Sequence, residues 1–295
     1  MVSHAYVNFY QKLMTRPAAA TLDPEQIKKN FQALLADYSH NPDVKLENSH
    51  LGGVPVLWAK APGSQAKNII LFFHGGGFVA GSSYSHRDLM GRLSAKTNTW
   101  VVGVDYRQTP DHPFPAALED AVHVYQALLH MGHSASSLLC VGCSAGANLA
   151  LAMMLKLKKE HQNLPAAAAL IAPWVDLSLS TESLISNRGK DVVSYDRMVL
   201  YRDLYIKHHS PKDPLASPIE GDLHALPPLF IQTGTNDLLH SEAVKLYEKA
   251  KKAKLTVELD EWTHMIHSFA LFAKDFPEGD VAIDRIAQFL TKYSL

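Results

Sequence analysis

The pentapeptide Gly142-Cys143-Ser144-Ala145-Gly146 sets a thiol beside a hydroxyl between two glycines, and either side chain could attack an electrophile. Its pattern, G-x-S-x-G, arises by chance in about one chain in fifteen of this composition, so its setting decides its meaning. SLLCVG before it reads as a strand and AGANLALAMMLKLKKE after it as a helix. A nucleophile elbow needs this setting: the central residue takes a strained backbone at the strand-to-helix turn, and the glycines keep side chains from colliding. The hydroxyl then projects at the positive end of the helix. The central slot belongs to Ser144. The thiol of Cys143, one residue earlier, is expected to pack underneath. A redox pair with Cys140 is disfavoured, because such pairs open a helix and Cys140 lies inside the strand.

A second motif, His74-Gly75-Gly76-Gly77-Phe78, follows the apolar run KNIILFF directly. Acyl transfer through a tetrahedral intermediate puts negative charge on the former carbonyl oxygen. Backbone N–H groups fixed in advance can bind that charge, each worth about 3 kcal/mol in the barrier. Consecutive glycines leave the approach to those amides open. The residue after the nucleophile, Ala145, supplies another donor. A phosphate-binding loop would need a lysine after the glycines, and none follows.

A serine hydroxyl attacks only when a histidine takes its proton, and a buried carboxylate fixes that histidine's tautomer. The chain order on such a scaffold is Ser, then Asp or Glu, then His. Asp237, in GTNDLLH just past the strand PLFIQTG, is the best-placed acid. Asp176, in APWVDL, is second and Asp260 third. For the base, EWTHMIHSF offers His264 and His267, which spacing does not separate. A zinc site on this pair lacks a third ligand at useful spacing, so neither metal nor organic cofactor is expected.

The elements that must position these residues alternate. VKLENSH, VPVLWAK, KNIILFF, TWVVGVD, SLLCVG, AAALIA, PLFIQTG and TVELDEW read as strands, with helical stretches beginning near His86, Ala116, Ala145, Ser241 and Asp280. Such alternation predicts a mainly parallel sheet covered on both faces. Residues 1–43 read as N-terminal helices, 44–180 and 216–295 as the two parts of the α/β core, and 181–215 as a helical insertion. The N-terminal helices and the insertion together are expected to form a lid over the carboxyl ends of the strands, where open α/β sheets bind ligands. Phe78 and an aromatic of the first helix, Phe9, are offered as pocket residues, with core packing the equal alternative.

At 295 residues one domain with a modest extra layer is the natural expectation. Acids (29) and bases (28) nearly balance, and no basic cluster is interleaved with aromatics, which argues against a nucleic-acid partner. The N-terminus lacks the apolar core of a signal peptide, and PAAAALIAPWV is about half of a membrane span. Two cysteines are too few for a disulfide framework, and a cytoplasmic protein is expected. The expected partner is a small-molecule substrate, and a homodimer is compatible with these properties.

Taken together, HGGGF, DYRQTPDHPFPAALED (105–120), GCSAGANLA, APWVDL, PLASP (214–218), LPPLFIQTGTNDLL and HMIHSF resemble the hormone-sensitive-lipase-like branch of α/β-hydrolases, bacterial carboxylesterases with an HGGG box. The similarity runs from about residue 44 to the end. It implies an α/β-hydrolase fold with a helical cap, and a serine carboxylesterase acting on short- to medium-chain esters through an acyl-enzyme. It further implies Ser144 as nucleophile, Asp237 as acid, and Gly76, Gly77 and Ala145 as oxyanion donors. His267 becomes the implied base because Phe269 follows it two residues later, whereas His264 stands where the family usually has Gly. Two departures stand out: Cys143 replaces the usual Asp or Thr, and the familiar D-x-L-x-D-E becomes Asp237-Leu238-Leu239-His240-Ser241-Glu242. Plant hormone receptors resemble the same family but lack the catalytic histidine, so His267 argues for turnover. Acyl transfer to an acceptor other than water shares every motif and differs only in product.

Overall fold

Adjacent residues of a strand point to opposite faces, so the unbroken apolar run ending at Phe73 demands cover on both sides. The computed structural model, which describes residues 2–15, 22–36, 38 and 40–295, provides it. Along β3 (Gln65–Phe73), Ile69, Leu71 and Phe73 join one apolar cluster while Ile70 and Phe72 join another across the sheet. The first cluster is packed by α4 (Ala116–His130), α5 (Ala145–Lys159) and α8 (His240–Lys252). The second is packed by α3 (Arg87–Thr97) and α9 (Pro277–Thr291). Of the expected N-terminal segment, residues 1, 16–21, 37 and 39 lie outside the described residues.

All eight expected strands form, and they build one sheet. The others are β1 (Lys45–Leu51), β2 (Val54–Lys60), β4 (Thr99–Val104), β5 (Leu138–Cys143), β6 (Ala167–Ile171), β7 (Leu229–Gly234) and β8 (Val257–Trp262). Their spatial order is β1-β2-β4-β3-β5-β6-β7-β8; β1–β2 and β2–β4 are antiparallel and every later pair is parallel. With the later strands parallel, their carboxyl ends lie along one edge, where loops can converge. The glycine box leaves β3 and the elbow leaves β5, neighbours in register with Phe73 opposite Gly142. Asp237 follows β7 and His267 follows β8, again neighbours, with Gly234 opposite Trp262.

Among the described residues, four α-helices lie outside this alternation: α1 (His4–Met14), α2 (Pro24–Ala36), α6 (Ser183–Ser186) and α7 (Tyr195–Ile206). Proline in the first turn of α2 follows Asp23, whose carboxylate accepts the Gln26 amide hydrogen at 3.2 Å as an N-cap should. The helix α1 turns Tyr6 and Phe9 toward the C-terminal region, where both rings pack on Phe276 at 5.0 Å. Among the described residues no helix is long and apolar enough to cross a membrane.

Candidate active site

Ser144 sits at the β5–α5 turn with φ 55° and ψ −117°, a conformation a non-glycine residue adopts only when its surroundings enforce it. Its amide donates to the Ile171 carbonyl at 2.8 Å, and its carbonyl accepts from Ala147 at 3.0 Å. The flanking glycines are required by close approach: a Cβ on Gly146 would lie 2.0 Å from the Phe73 carbonyl oxygen, and one on Gly142 2.3 Å from that of Gly146. Cys143 is fully buried beneath the turn, also contributing to the cavity wall, and its thiol donates to Ser268 Oγ at 3.2 Å. Burial pushes that thiol up to about 12, so it stays protonated and is no competitor to the serine.

His267 Nδ1 lies 3.0 Å from Asp237 Oδ1, and both side chains are buried. A carboxylate accepts, so the ring proton is on Nδ1 and the Nε2 lone pair is left available. Asp237 Oδ1 also accepts the Leu239 amide hydrogen at 2.8 Å. Burial pulls the His267 pKa down, but the charge of Asp237, its hydrogen bond and the charge of Asp191 outweigh it, and the net shift is upward. The other candidates are engaged elsewhere. Asp176 pairs with Lys245 at 3.0 Å, and Asp260 accepts from Gln232, Trp262 and Arg285. His264 is exposed, its carbonyl taken by the Tyr6 hydroxyl at 2.7 Å.

A cavity of about 150 Å³ brings Ser144, His267, Gly75, Gly76 and Gly77 together. No hydrogen bond joins the Ser144 hydroxyl to His267 among the described residues; such contacts are often loose without substrate and tighten in the complex. The amides of Gly76, Gly77 and Ala145 donate to no protein acceptor among the described residues, whereas that of Gly75 is taken by His86 Nε2 at 3.1 Å. Gly76 (φ +123°) and Gly77 (φ +64°) hold conformations that side chains resist. A Cβ there would meet the Ala80 carbonyl oxygen at 2.0 Å or the Tyr201 ring at 2.2 Å.

The remaining wall is mostly apolar, with Phe31, Leu34 and Leu35 of α2, Val192 and Val193, and Met198 and Tyr201 of α7, while Arg197, His86 and Ser268 add polar groups. Neither expected pocket aromatic is part of it. Phe78 points into the core with no exposure, stacked on Tyr205 at 3.6 Å with ring planes 4° apart. Its positive φ of 63°, immediately after the glycines, turns it away from the cavity. Phe9 packs on Phe272 and Phe276 and borders a separate surface groove. α2 supplies the aromatic that α1 was expected to give, Phe31.

Asp191 was not singled out in the sequence. Buried among the loops, it accepts the His267 amide hydrogen through Oδ1 at 3.0 Å and that of Leu238 through Oδ2 at 2.7 Å. One carboxylate thus ties the loop of the base to the loop of the acid. Burial and the charge of Asp237 push its own pKa upward. Asp191, Asp237 and His267 present ligand-type atoms within 4.8 Å of one another. Those of Asp191 are already occupied by amides, and Asp237 Oδ1 by the imidazole, which does not fit a cation site.

A sequence-family profile described as alpha/beta hydrolase fold matches residues 70–271. An esterase of Acinetobacter venetianus is 35% identical over 285 residues, covering 95% of this chain and 92% of its own. An acetyl-hydrolase of Streptomyces hygroscopicus is 38% identical over 242 residues, covering 81% and 80%. The crystal structure of an esterase from the bacterial hormone-sensitive lipase family superposes with a TM-score of 0.96 at 34% identity, covering 99% of both chains. With strand order, elbow and glycine box all in place, the chain belongs to the hormone-sensitive-lipase family of α/β-hydrolases.

Proposed function

We propose that this protein is a serine carboxylesterase in which Ser144, His267 and Asp237 form the triad and the amides of Gly76, Gly77 and Ala145 form the oxyanion hole. One observation carries the reading: a buried imidazole, bonded to a buried carboxylate, shares a cavity with a strained serine and with glycine amides that have no protein acceptor among the described residues. The Ser144 hydroxyl proton passes to His267 Nε2 as Oγ attacks the ester carbonyl carbon, and the oxygen's new charge meets the three amides. The tetrahedral intermediate collapses, His267 returns the proton to the departing alcohol, and an acyl-serine remains. Water then gives a proton to the same nitrogen, attacks the acyl carbon and releases the acid, restoring Ser144.

Short acyl chains fit the site best. A cavity of about 150 Å³ matches the size that admits a benzene-sized guest, and its mostly apolar walls favour a hydrocarbon acyl chain. The acetyl-hydrolase relative supports the same range. We assign residues 1–43 and 181–215 as a cap, since Phe31, Leu34 and Leu35 of α2 and Met198 and Tyr201 of α7 line the cavity that holds Ser144 and His267. The nearly balanced charge supports a protein with no nucleic-acid partner, and we place it in the cytoplasm. A homodimer is compatible with this reading.

The test is turnover of p-nitrophenyl esters from acetate to decanoate by the wild type and by Ser144→Ala. Hydrolysis should be fastest for the shorter acyl chains and fall by about four to six orders of magnitude in the variant. Near-native rates in Ser144→Ala would overturn the reading.

A further inference from the structure

The glycine loop is anchored by two imidazoles. His86, the last residue before α3, is 1% exposed, and its Nε2 accepts the Gly75 amide hydrogen at 3.1 Å. A peptide N–H only donates, so Nε2 carries no proton and the ring is the neutral Nδ1–H tautomer. That Nδ1 faces the Ser82 carbonyl oxygen at 3.1 Å and Ser85 Oγ at 2.9 Å. Ser82 and Ser85 also bond each other's amides through their hydroxyls, at 2.9 and 3.1 Å, so the turn that carries the ring is itself braced. The rings of Phe72 and Phe31 lie against His86 at 5.8 and 6.1 Å.

This anchoring matters because the C=O and N–H of a planar trans peptide point opposite ways, so holding one end aims the other. In the unit joining residues 74 and 75, the carbonyl accepts the Tyr106 hydroxyl at 2.8 Å and the N–H is held by His86. In the next unit the Gly75 carbonyl meets His74 Nδ1 at 2.8 Å, leaving the Gly76 N–H free. In the third, the Gly76 carbonyl accepts from Val79 and Ala80 at 3.1 and 2.9 Å, leaving the Gly77 N–H free. Consecutive glycines have little intrinsic preference for any one plane, so external anchors must fix it. Tyr106 and His74 hold carbonyls. The anchor for the Gly75 N–H is His86.

We propose that His86 is a positioning residue of the oxyanion loop, its unprotonated Nε2 fixing the Gly75 peptide and through it the aim of the Gly76 and Gly77 amides. Phe31 of α2 lies against that ring and lines the cavity, so α2 braces the loop through the same imidazole. The proposal rests on the reading of Gly76 and Gly77 as oxyanion donors. It differs from a packing role in a way that can be measured, because a positioning residue acts on the transition state more than on the bound substrate.

The test compares His86→Gln with His86→Asn. A glutamine carbonyl reaches the Nε2 position and can accept from Gly75, whereas an asparagine reaches only the Nδ1 position. Steady-state kinetics with p-nitrophenyl butyrate, inhibition by an alkyl trifluoromethyl ketone and thermal unfolding are measured for both. His86→Asn should lower kcat about 30- to 100-fold with KM within about threefold, and weaken the ketone by a similar factor, because its tetrahedral adduct uses the same amides. His86→Gln should keep both values within about threefold. If His86→Asn does not fold, His86→Met fills the space without a strong acceptor, and the same contrast with Gln applies. Equal effects of Gln and the acceptor-free variant, or a fall in kcat without loss of ketone affinity, would overturn the proposal. Wild-type hydrolysis and ketone inhibition uphold the esterase reading whatever the His86 variants do, so the two failures are distinguishable.

Discussion

Beyond β8 a buried imidazole, His267, faces carboxylates; in and beside the glycine loop His74 and His86, more completely buried, face peptide groups and hydroxyls. Burial pulls an imidazole toward the neutral form: it takes His74 down to about 4, and burial with the neighbouring His74 takes His86 to about 3. At His267 the charge and hydrogen bond of Asp237, with the added charge of Asp191, reverse the net direction. On the proposed reading, three buried histidines divide into one base and two neutral spacers. What separates them is the partner, which suits the chemistry: a base must accept a proton in the transition state, whereas an anchor must not change state at all.

The sharpest way to break this division is to remove the carboxylate while keeping its shape. In Asp237→Asn the amide can donate to Nδ1 and force the ring proton onto Nε2, where it blocks proton transfer from Ser144. The expected loss in kcat is about 10⁴-fold, measured with p-nitrophenyl butyrate under saturating substrate. A smaller loss is expected on the neutral side. Gly77→Ala drives a Cβ into the Tyr201 ring, displaces the loop and should lower kcat about 10²- to 10³-fold.

Asp191→Asn sharpens the comparison rather than breaking it. His267 works as a base only when neutral, so activity rises with pH through an acid limb, which in the wild type should lie above the ordinary histidine value of 6.5. Removing a negative charge that favours the imidazolium should move that limb to lower pH in a kcat/KM profile, with kcat reduced about tenfold or less. A limb that moves upward would refute the assigned electrostatics.

The smallest expected effect concerns a carboxyl treated as the neutral histidines are. Glu242 is buried, with Oε2 accepting the Val175 and Asp176 amide hydrogens at 2.8 and 2.9 Å. Burial, then the charge of Asp176, push its pKa well above the usual carboxyl value. The folded protein therefore keeps a proton that the unfolded chain releases above about pH 4.5, and stability is lost progressively as pH rises past that point. Glu242→Gln should raise Tm by about 2–4 °C at pH 8 and leave it unchanged near pH 4, by calorimetry at both pH values.

How much of this was legible in the sequence follows the range of the interactions. The eight strands and the elbow were readable because apolar runs and a strand–glycine–helix junction are local patterns. Asp237 was readable because acids just past a strand end reach the sheet's carboxyl edge. His264 and His267 could not be separated by spacing, since three residues in a turn give no periodic signal; only the resemblance to a family distinguished them. In the structure a positive φ of 65° at His264 and the Tyr6 hydroxyl on its carbonyl accompany an exposed side chain, whereas His267 is buried. Phe9 and Phe78 failed as pocket residues because their facing depends on which distant helix packs where. Asp191, in GKDVVS, carried no local signal of this role, for the two loop amides it ties together lie 47 and 76 residues away. For His86, the serine pair Ser82 and Ser85 was a turn signal that could have drawn notice to the histidine it holds.

The most direct test of the division between base, nucleophile and buried thiol is peptide mass spectrometry after reaction with a fluorophosphonate. One phosphonyl adduct on Ser144 is expected in the wild type, none in Ser144→Ala, and slow labelling in His267→Ala. An adduct on Cys143, or labelling of Ser144 at the wild-type rate without His267, would contradict it.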